Sequence, residues 1–419
     1  MQQFTNKDGA FFCENVALSD IAAAVGTPVY VYSRAMLEQA VESFDSGVRQ
    51  AGDVHCAYAI KANPNLAVIA VVAGKGFGAD VVSLGEMRRA IAGGVSPGMI
   101  VFSGVGKTHG EMASALVAGV GQFNIESEIE GEELGDIAAQ MGKVAVAALR
   151  INPDVDALTH AKISTGKADN KFGVPIHDAA DIFDRLSRRA GLNLRGIALH
   201  IGSQLLSLEP LESAFKHAGE LLRELRARGH GITHVDLGGG LGVRYRPDDA
   251  PPTASEYGAM VARVTADWGV TLMFEPGRVI AANAGVMLST VIRVKPGASH
   301  PFVVVDAAMN DLARPALYDA WHEIMAVKPV GERMSATIVG PICESSDTFA
   351  TGRDIDAVRA GDLIMFRSTG AYGASMASTY NSRAMVPEVM VDGSQWAIVA
   401  KRIPAEDIMA AEHVPDFLR

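Results

Sequence analysis

A lysine closes the apolar run Ala57-Tyr58-Ala59-Ile60. An ammonium at the end of such a run must find an anion, stay solvated, give up its proton or react with an aldehyde. Lys61 therefore reads either as a salt-bridged strand-end cation or as a Schiff-base lysine. Further along, Gly238-Gly239-Gly240-Leu241-Gly242 strips Cβ atoms from a run of backbone N–H groups, so that an anion such as a phosphate could approach them. It is not the dinucleotide fingerprint, because Val243 stands where G-x-G-x-x-G needs its last glycine, and a tight turn without a ligand is the plainer reading. Glu275 precedes Pro276-Gly277-Arg278. Beside an arginine it could be one half of an ion pair, or it could hold a heteroaromatic nitrogen protonated, as an electron-sink cofactor requires. His200, in His200-Ile201-Gly202-Ser203-Gln204, reads by default as a hydrogen-bonded core histidine, and otherwise as a ring packed against a ligand.

The last third of the chain adds Gly340-Pro341-Ile342-Cys343-Glu344-Ser345-Ser346-Asp347. Most single cysteines fill cores, but Cys343 sits among polar residues, which suits a proton donor or nucleophile. Arg314-Pro315-Ala316-Leu317-Tyr318 and Gly370-Ala371-Tyr372-Gly373 would each read alone as surface loops. Two further motifs fail on inspection. Gly106-Lys107-Thr108 lacks the first P-loop glycine, since Val101 occupies its place, and His322-Glu323 lacks the second zinc histidine, since Ala326 does. No metal site is expected.

Something must position these groups. Short β-rich runs near 55–59, 79–82, 100–102, 122–125, 144–151, 194–200, 234–237 and 271–275 alternate with amphipathic stretches such as 66–73, 111–118, 128–141 and 211–229. Eight alternations over about 220 residues predict a closed (β/α)8 barrel, with an open doubly wound sheet as the rival. In such barrels chemistry gathers at the carboxyl ends of the strands, and phosphate binds after the seventh and eighth. Those ends carry Lys61, Asp80, Arg150, His200, Gly238-Gly239-Gly240 and Glu275–Arg278. After Arg278 the texture changes to short β-branched runs at 285–294, 302–306, 335–339 and 362–366. We therefore expect an N-terminal segment over 1–29 that packs with the β domain, a barrel over 30–280 and a mainly β domain over 281–419. The extended run at 27–32 suits either domain, and 247–252 reads as a surface loop.

Composition limits the function classes. The 419 residues carry 37 Lys and Arg against 48 Asp and Glu, a net charge of −11, which argues against a broad nucleic-acid footprint. Cys13, Cys56 and Cys343 are too few and too dispersed for a disulfide framework, which suits a reducing compartment. No apolar stretch is long enough for a membrane span, and no basic stretch leads into an apolar run at the start, so a cytoplasmic enzyme is expected.

Taken in order, Tyr58-Ala59-Ile60-Lys61-Ala62-Asn63, Asn152-Pro153-Asp154 with Lys171-Phe172-Gly173, His200 to Gln204, the glycine turn, Glu275 to Arg278, Arg314 to Tyr318, Cys343 to Asp347 and Tyr372 resemble the fold-type III pyridoxal-phosphate decarboxylases, and within them the branch acting on diaminopimelate. The resemblance spans nearly the whole chain. It implies an alanine-racemase-like barrel plus β domain, pyridoxal 5′-phosphate as cofactor, and a homodimer with shared active sites. It also implies decarboxylation of meso-2,6-diaminopimelate to L-lysine and carbon dioxide, the last step of lysine biosynthesis. Lys61 would hold the cofactor as a Schiff base. Gly239, Gly240, Ser203 and the Gly277-Arg278 backbone would bind its phosphate, Glu275 its ring nitrogen and His200 its ring face, with Asp80 and Arg150 in support. Arg278, Arg314 and Tyr318 would bind the distal carboxylate of the substrate and Glu344 its distal ammonium. Tyr372 would touch both molecules, and Cys343, from the partner subunit, would donate the proton. Ornithine and arginine decarboxylases share the lysine, the glycines and the Glu-Pro-Gly-Arg segment but usually carry Cys-Asp where this chain has Cys343-Glu344. Racemases of the same fold tend to place arginine where Glu275 stands.

Overall fold

Eight short apolar runs form parallel strands: β1 (Val54–Ala59), β2 (Gly78–Val81), β3 (Ile100–Phe102), β4 (Gln122–Ile125), β5 (Ala145–Asn152), β6 (Leu192–Leu199), β7 (His234–Asp236) and β8 (Thr271–Phe274). Each pairs with the next, and β8 returns to β1 with Leu272 opposite Val54. The ring is closed, so the open-sheet rival is excluded. The computed structural model describes residues 3–156 and 170–419; Met1 and Gln2, where the segment read for an export signal begins, lie outside them.

The loops leaving the strands carry residues that start helices. Ser83, Thr108 and Ser127 accept N–H bonds from Glu86, Glu111 and Glu130, capping the helices Leu84–Ala92, His109–Ala118 and Glu128–Gln140. Thr108 forms a full capping box with Glu111; a cap of this kind stabilises a helix by about 1 kcal/mol. The P-loop-like tripeptide thus has structural work. Lys107, buried, donates to Gly104 O at 2.7 Å, Asn124 O at 2.7 Å and Glu130 Oε1 at 2.6 Å, which ties the β3 and β4 loops together.

The chain divides into two compact units, Glu38–Arg244 with Asp248–Ile280, and Met1–Leu37 with Tyr245–Pro247 and Ala281–Arg419. In the second unit, Gly285–Lys295 pairs antiparallel with Phe302–Val305, Leu363–Phe366 and Val29–Ser33. Val29–Ser33 also pairs in parallel with Glu388–Asp392. The boundary expected at residue 30 therefore falls inside a strand of the β sheet. The cause is its alternation: Val29 and Val31 enter an apolar core with Phe4, Phe11, Leu18, Ile21, Val286, Leu288 and Val389. Tyr30 and Tyr32 leave on the other face, where their hydroxyls donate to Asp311 O at 2.7 Å and Glu388 Oε2 at 2.6 Å. The segment 247–252 is loop, as its prolines indicate.

Candidate active site

Every barrel strand delivers a polar residue at its carboxyl end. Lys61 follows β1 in the short turn Ile60–Ala62, and its Nζ lies 2.7 Å from Asp80 Oδ2 on β2. The lysine side chain keeps 37% of its exposure while the Asp80 side chain keeps 0%. Asp80 Oδ1 is buried without a hydrogen-bond partner among the described residues. The salt-bridged reading of Lys61 and the reactive one therefore coexist: the amine is anchored by an anion yet accessible.

Across the strand ends stands Glu275, directly after β8 and buried. Its Oε1 accepts from Asn124 Nδ2 at 3.1 Å and Ser103 Oγ at 3.3 Å. Burial first, then the charges of Asp236 and Asp80, hold this carboxyl well above its ordinary range. This raised proton affinity favours the carboxylic acid form, and Arg278 directs Nη2 to Ser203 Oγ at 3.1 Å.

His200 follows β6. Part of its side chain is accessible, but desolvation of the ring, then the charges of Arg150 and Lys61, push the imidazole down to about 3. It is uncharged at neutral pH, and its Nδ1 accepts the Gly239 N–H at 3.2 Å, which fixes the ring against the glycine turn. That turn tolerates no side chains. A Cβ on Gly239 would lie 2.3 Å from Glu275 O, and one on Gly240, whose φ is +117°, would lie 2.6 Å from Gly202 O.

Arg150, on β5, lies behind the site. Its Nη1 pairs with Glu126 Oε1 at 2.7 Å, and its guanidinium sits 4.8 Å from the centre of the Phe172 ring. Glu126 also accepts the N–H groups of Gly104 at 3.1 Å and Gly173 at 2.9 Å, so it joins the β3, β4 and β5 loops. Ser103, Asn124, Glu126 and Asp236 are the site residues that sequence reasoning missed. All four stand at the ends of β3, β4 or β7, the position that drew attention to Lys61 and His200.

In the β unit, Arg314 is buried, with Nη1 donating to His322 Nε2 at 3.0 Å and its guanidinium 4.6 Å from the Tyr245 ring centre. His322 Nδ1 meets Arg367 O at 2.8 Å, so the histidine that resembled a zinc ligand orients an arginine instead. Tyr318 ends the same short helix, Arg314–Tyr318, and is partly buried. Cys343 and Glu344 are exposed. Glu344 accepts from Tyr380 OH at 2.9 Å and from Ser346 Oγ, and these bonds hold its carboxyl below the ordinary range. Tyr372 lies in the loop before Gly373 with φ +56°. Among the described residues no group of His, Cys, Asp and Glu side chains could hold a metal ion, and no helix is long and apolar enough to cross a membrane.

Residues 34–282, more than half of the chain, match the family described as "Pyridoxal-dependent decarboxylase, pyridoxal binding domain". The chain belongs to the pyridoxal-dependent decarboxylases. This decarboxylase is 51% identical to the diaminopimelate decarboxylase of Zymomonas mobilis over 100% of both chains, and 46% identical to that of Vibrio cholerae over 97% of this chain and 98% of the other. Among solved structures it is similar to the diaminopimelate decarboxylase of M. jannaschii in complex with L-lysine, with a TM-score of 0.95, 34% identity and 99% and 98% of the two chains covered.

Pyridoxal phosphate is the cofactor of this family, and the decarboxylase offers what it needs. Lys61 supplies an amine for an aldehyde, the side-chain-free turn at Gly239 and Gly240 a cradle for a phosphate, Glu275 a buried acid for a ring nitrogen and His200 a neutral flat ring. All four belong to one unit. The residues fit the group.

Proposed function

We propose that the chain decarboxylates meso-2,6-diaminopimelate to L-lysine and carbon dioxide, a step of lysine biosynthesis. The name shared by its full-length relatives, and the L-lysine bound by a structural neighbour, support this substrate. The single observation that carries the chemistry is Glu275, a carboxyl where racemases of this fold tend to carry arginine. When bound, pyridoxal phosphate supplies an aldehyde for the substrate amine and a protonated ring that spreads the electron pair left by carbon dioxide.

The chain's own residues do the rest. Lys61, oriented by Asp80 at 2.7 Å, would hold the cofactor through its amine. Gly239, Gly240, Ser203 and the backbone of Gly277 and Arg278 bind the phosphate. Glu275 keeps the ring nitrogen protonated, and a carboxyl whose proton affinity is already raised by burial suits that task. His200, uncharged, packs on the ring without adding a competing positive charge. Arg150 helps to keep it uncharged.

We also propose residues for the distal end of the substrate, Arg278 from the barrel unit and the others from the β unit. Arg278, Arg314 and Tyr318 grip the second carboxylate, Glu344 meets the second ammonium and Tyr372 touches both molecules. The partner subunit's Cys343 returns a proton to the carbon that lost carbon dioxide, so the working form is a homodimer with shared sites. A cytoplasmic setting suits these reduced, separate cysteines. The test is product analysis after separate incubation with meso-diaminopimelate, ornithine and arginine. Lysine from the first and no turnover of the others is expected; putrescine or agmatine at a comparable rate would overturn the substrate assignment.

A further inference from the structure

Behind Glu275 lies a second carboxyl with no part in the chemistry assigned so far. Asp236 ends β7, is 1% exposed and takes two N–H donors, Asn124 Nδ2 at 3.0 Å on Oδ2 and the Gly238 N–H at 2.9 Å on Oδ1. The same Asn124 amino group reaches Glu275 Oε1 at 3.1 Å. Asn124 Oδ1 accepts Gln122 Nε2 at 2.9 Å, and its amino side faces the two carboxyls. Asp236 and Glu275 thus converge on one amino group, and the Asp236 charge raises the proton affinity of Glu275, so the pair favours holding one proton between them. Two buried carboxyl groups this close do not both ionise readily, and they titrate as a pair.

The donors decide where the proton resides. Asp236 receives two N–H bonds, one of them from the backbone, and N–H donors favour the ionised form. Glu275 Oε1 shares the Asn124 amino group and takes only the longer Ser103 hydroxyl bond, 3.3 Å, for itself. We infer that Asp236 is a positioning residue for Glu275: held as an anion by Asn124 and the Gly238 N–H, it fixes the Glu275 carboxyl and leaves the shared proton on it. The inference rests on the proposed pairing of Glu275 with the ring nitrogen. Toward a bound cofactor Glu275 would supply this proton to the ring nitrogen, its O–H bond breaking as the N–H bond forms, while Asp236 would stay ionised and its charge would favour the protonated ring. Other charged and titratable groups bear on the pair. Asp80 acts on both carboxyls and Lys61 on Glu275, and Asp236 in turn acts on His55 of β1 and Tyr257 of the helix Ala254–Val264.

The apoprotein provides a test that needs no turnover. The infrared carbonyl band of a protonated carboxyl, identified as the part of the spectrum lost in Glu275→Gln, should fade with rising pH. In Asp236→Asn the neighbouring anion is gone and the new amide donates to Glu275, so the midpoint should fall by about one pH unit or more. In Asn124→Ala both carboxyls lose a donor to their charged forms, so the midpoint should rise. In the loaded enzyme, ring-15N-labelled cofactor should give a less protonated nitrogen signal in Asp236→Asn. There kcat should fall roughly 10–100-fold with KM little changed, because the loss touches the reacting state rather than substrate binding. Midpoints that move together, or not at all, would overturn the inference. Cofactor trapped elsewhere than Lys61 would instead defeat the functional reading, and the apoprotein midpoints would still decide the role of Asp236.

Discussion

Replacing Glu275 with glutamine probes the electron sink with little change of shape. The amide oxygen can keep the contacts of Oε1 with Asn124 at 3.1 Å and Ser103 at 3.3 Å, and the new amino group can donate to Asp236. Folding and cofactor retention should therefore persist. The proton is what is lost, since an amide cannot hand one to a ring nitrogen. Removing one preorganised electrostatic contact of this kind costs about 10²–10³ in rate, roughly 3–4 kcal/mol of transition-state stabilisation. The site is buried, so solvent should not replace the group, and the upper half of that range is expected. Steady-state kinetics on protein with its cofactor content measured by absorbance would show kcat reduced and KM nearly unchanged. The apoprotein offers an independent check. Glu275 binds its proton more tightly folded than unfolded, so its stabilising effect is complete below the ordinary carboxyl range and is lost as pH rises through the raised value. Glu275→Gln should flatten that decline in the melting temperature. Near-normal turnover with full cofactor loading would refute the role given to Glu275.

Three other outcomes follow from the site. Borohydride should fix cofactor on Lys61, and peptide mapping that finds the label on another lysine would contradict the anchor assigned beside Asp80. Cys343→Ala and Lys61→Ala should each be nearly inactive, but after subunit exchange their mixture should recover about a quarter of wild-type activity, since half the dimers would carry one intact site; no recovery despite exchange would place Cys343 in its own subunit's site. Arg314→Ala should lower kcat/KM for diaminopimelate by about 2–4 kcal/mol equivalent while cofactor binding stays intact, and Arg314→Lys should restore little, because an ammonium lacks the fork of donors that His322 and Tyr245 hold in place. Unchanged kinetics in either variant would remove the arginine from substrate binding.

Much of the barrel could be read from the chain because each strand is a short apolar run ended by a polar residue or glycine, and that punctuation also marks where chemistry gathers. Lys61, His200 and Glu275 were legible for this reason. Asn124 and Asp236 obey the same rule but stand inside their strands as ordinary polar residues, and only the closed ring brings the ends of β4, β7 and β8 together. Val29–Ser33 was ambiguous because its partners, Gly285–Lys295 and Glu388–Asp392, lie hundreds of residues away, beyond any local pattern. The environment of Arg314 was hidden too. A surface ion pair with Asp311 or Asp319 fits the spacing, whereas the structure buries the guanidinium against Tyr245 and His322.

On diaminopimelate the chain removes one carboxylate and puts a proton in its place. Incubation of carboxyl-labelled meso-diaminopimelate with the holoenzyme in deuterated water reads both halves at once. One labelled carbon dioxide should appear for each lysine formed, and each lysine should carry a single deuteron on the carbon that lost the carboxylate. Deuterium entering diaminopimelate without release of carbon dioxide would reveal a racemase or epimerase and contradict the account.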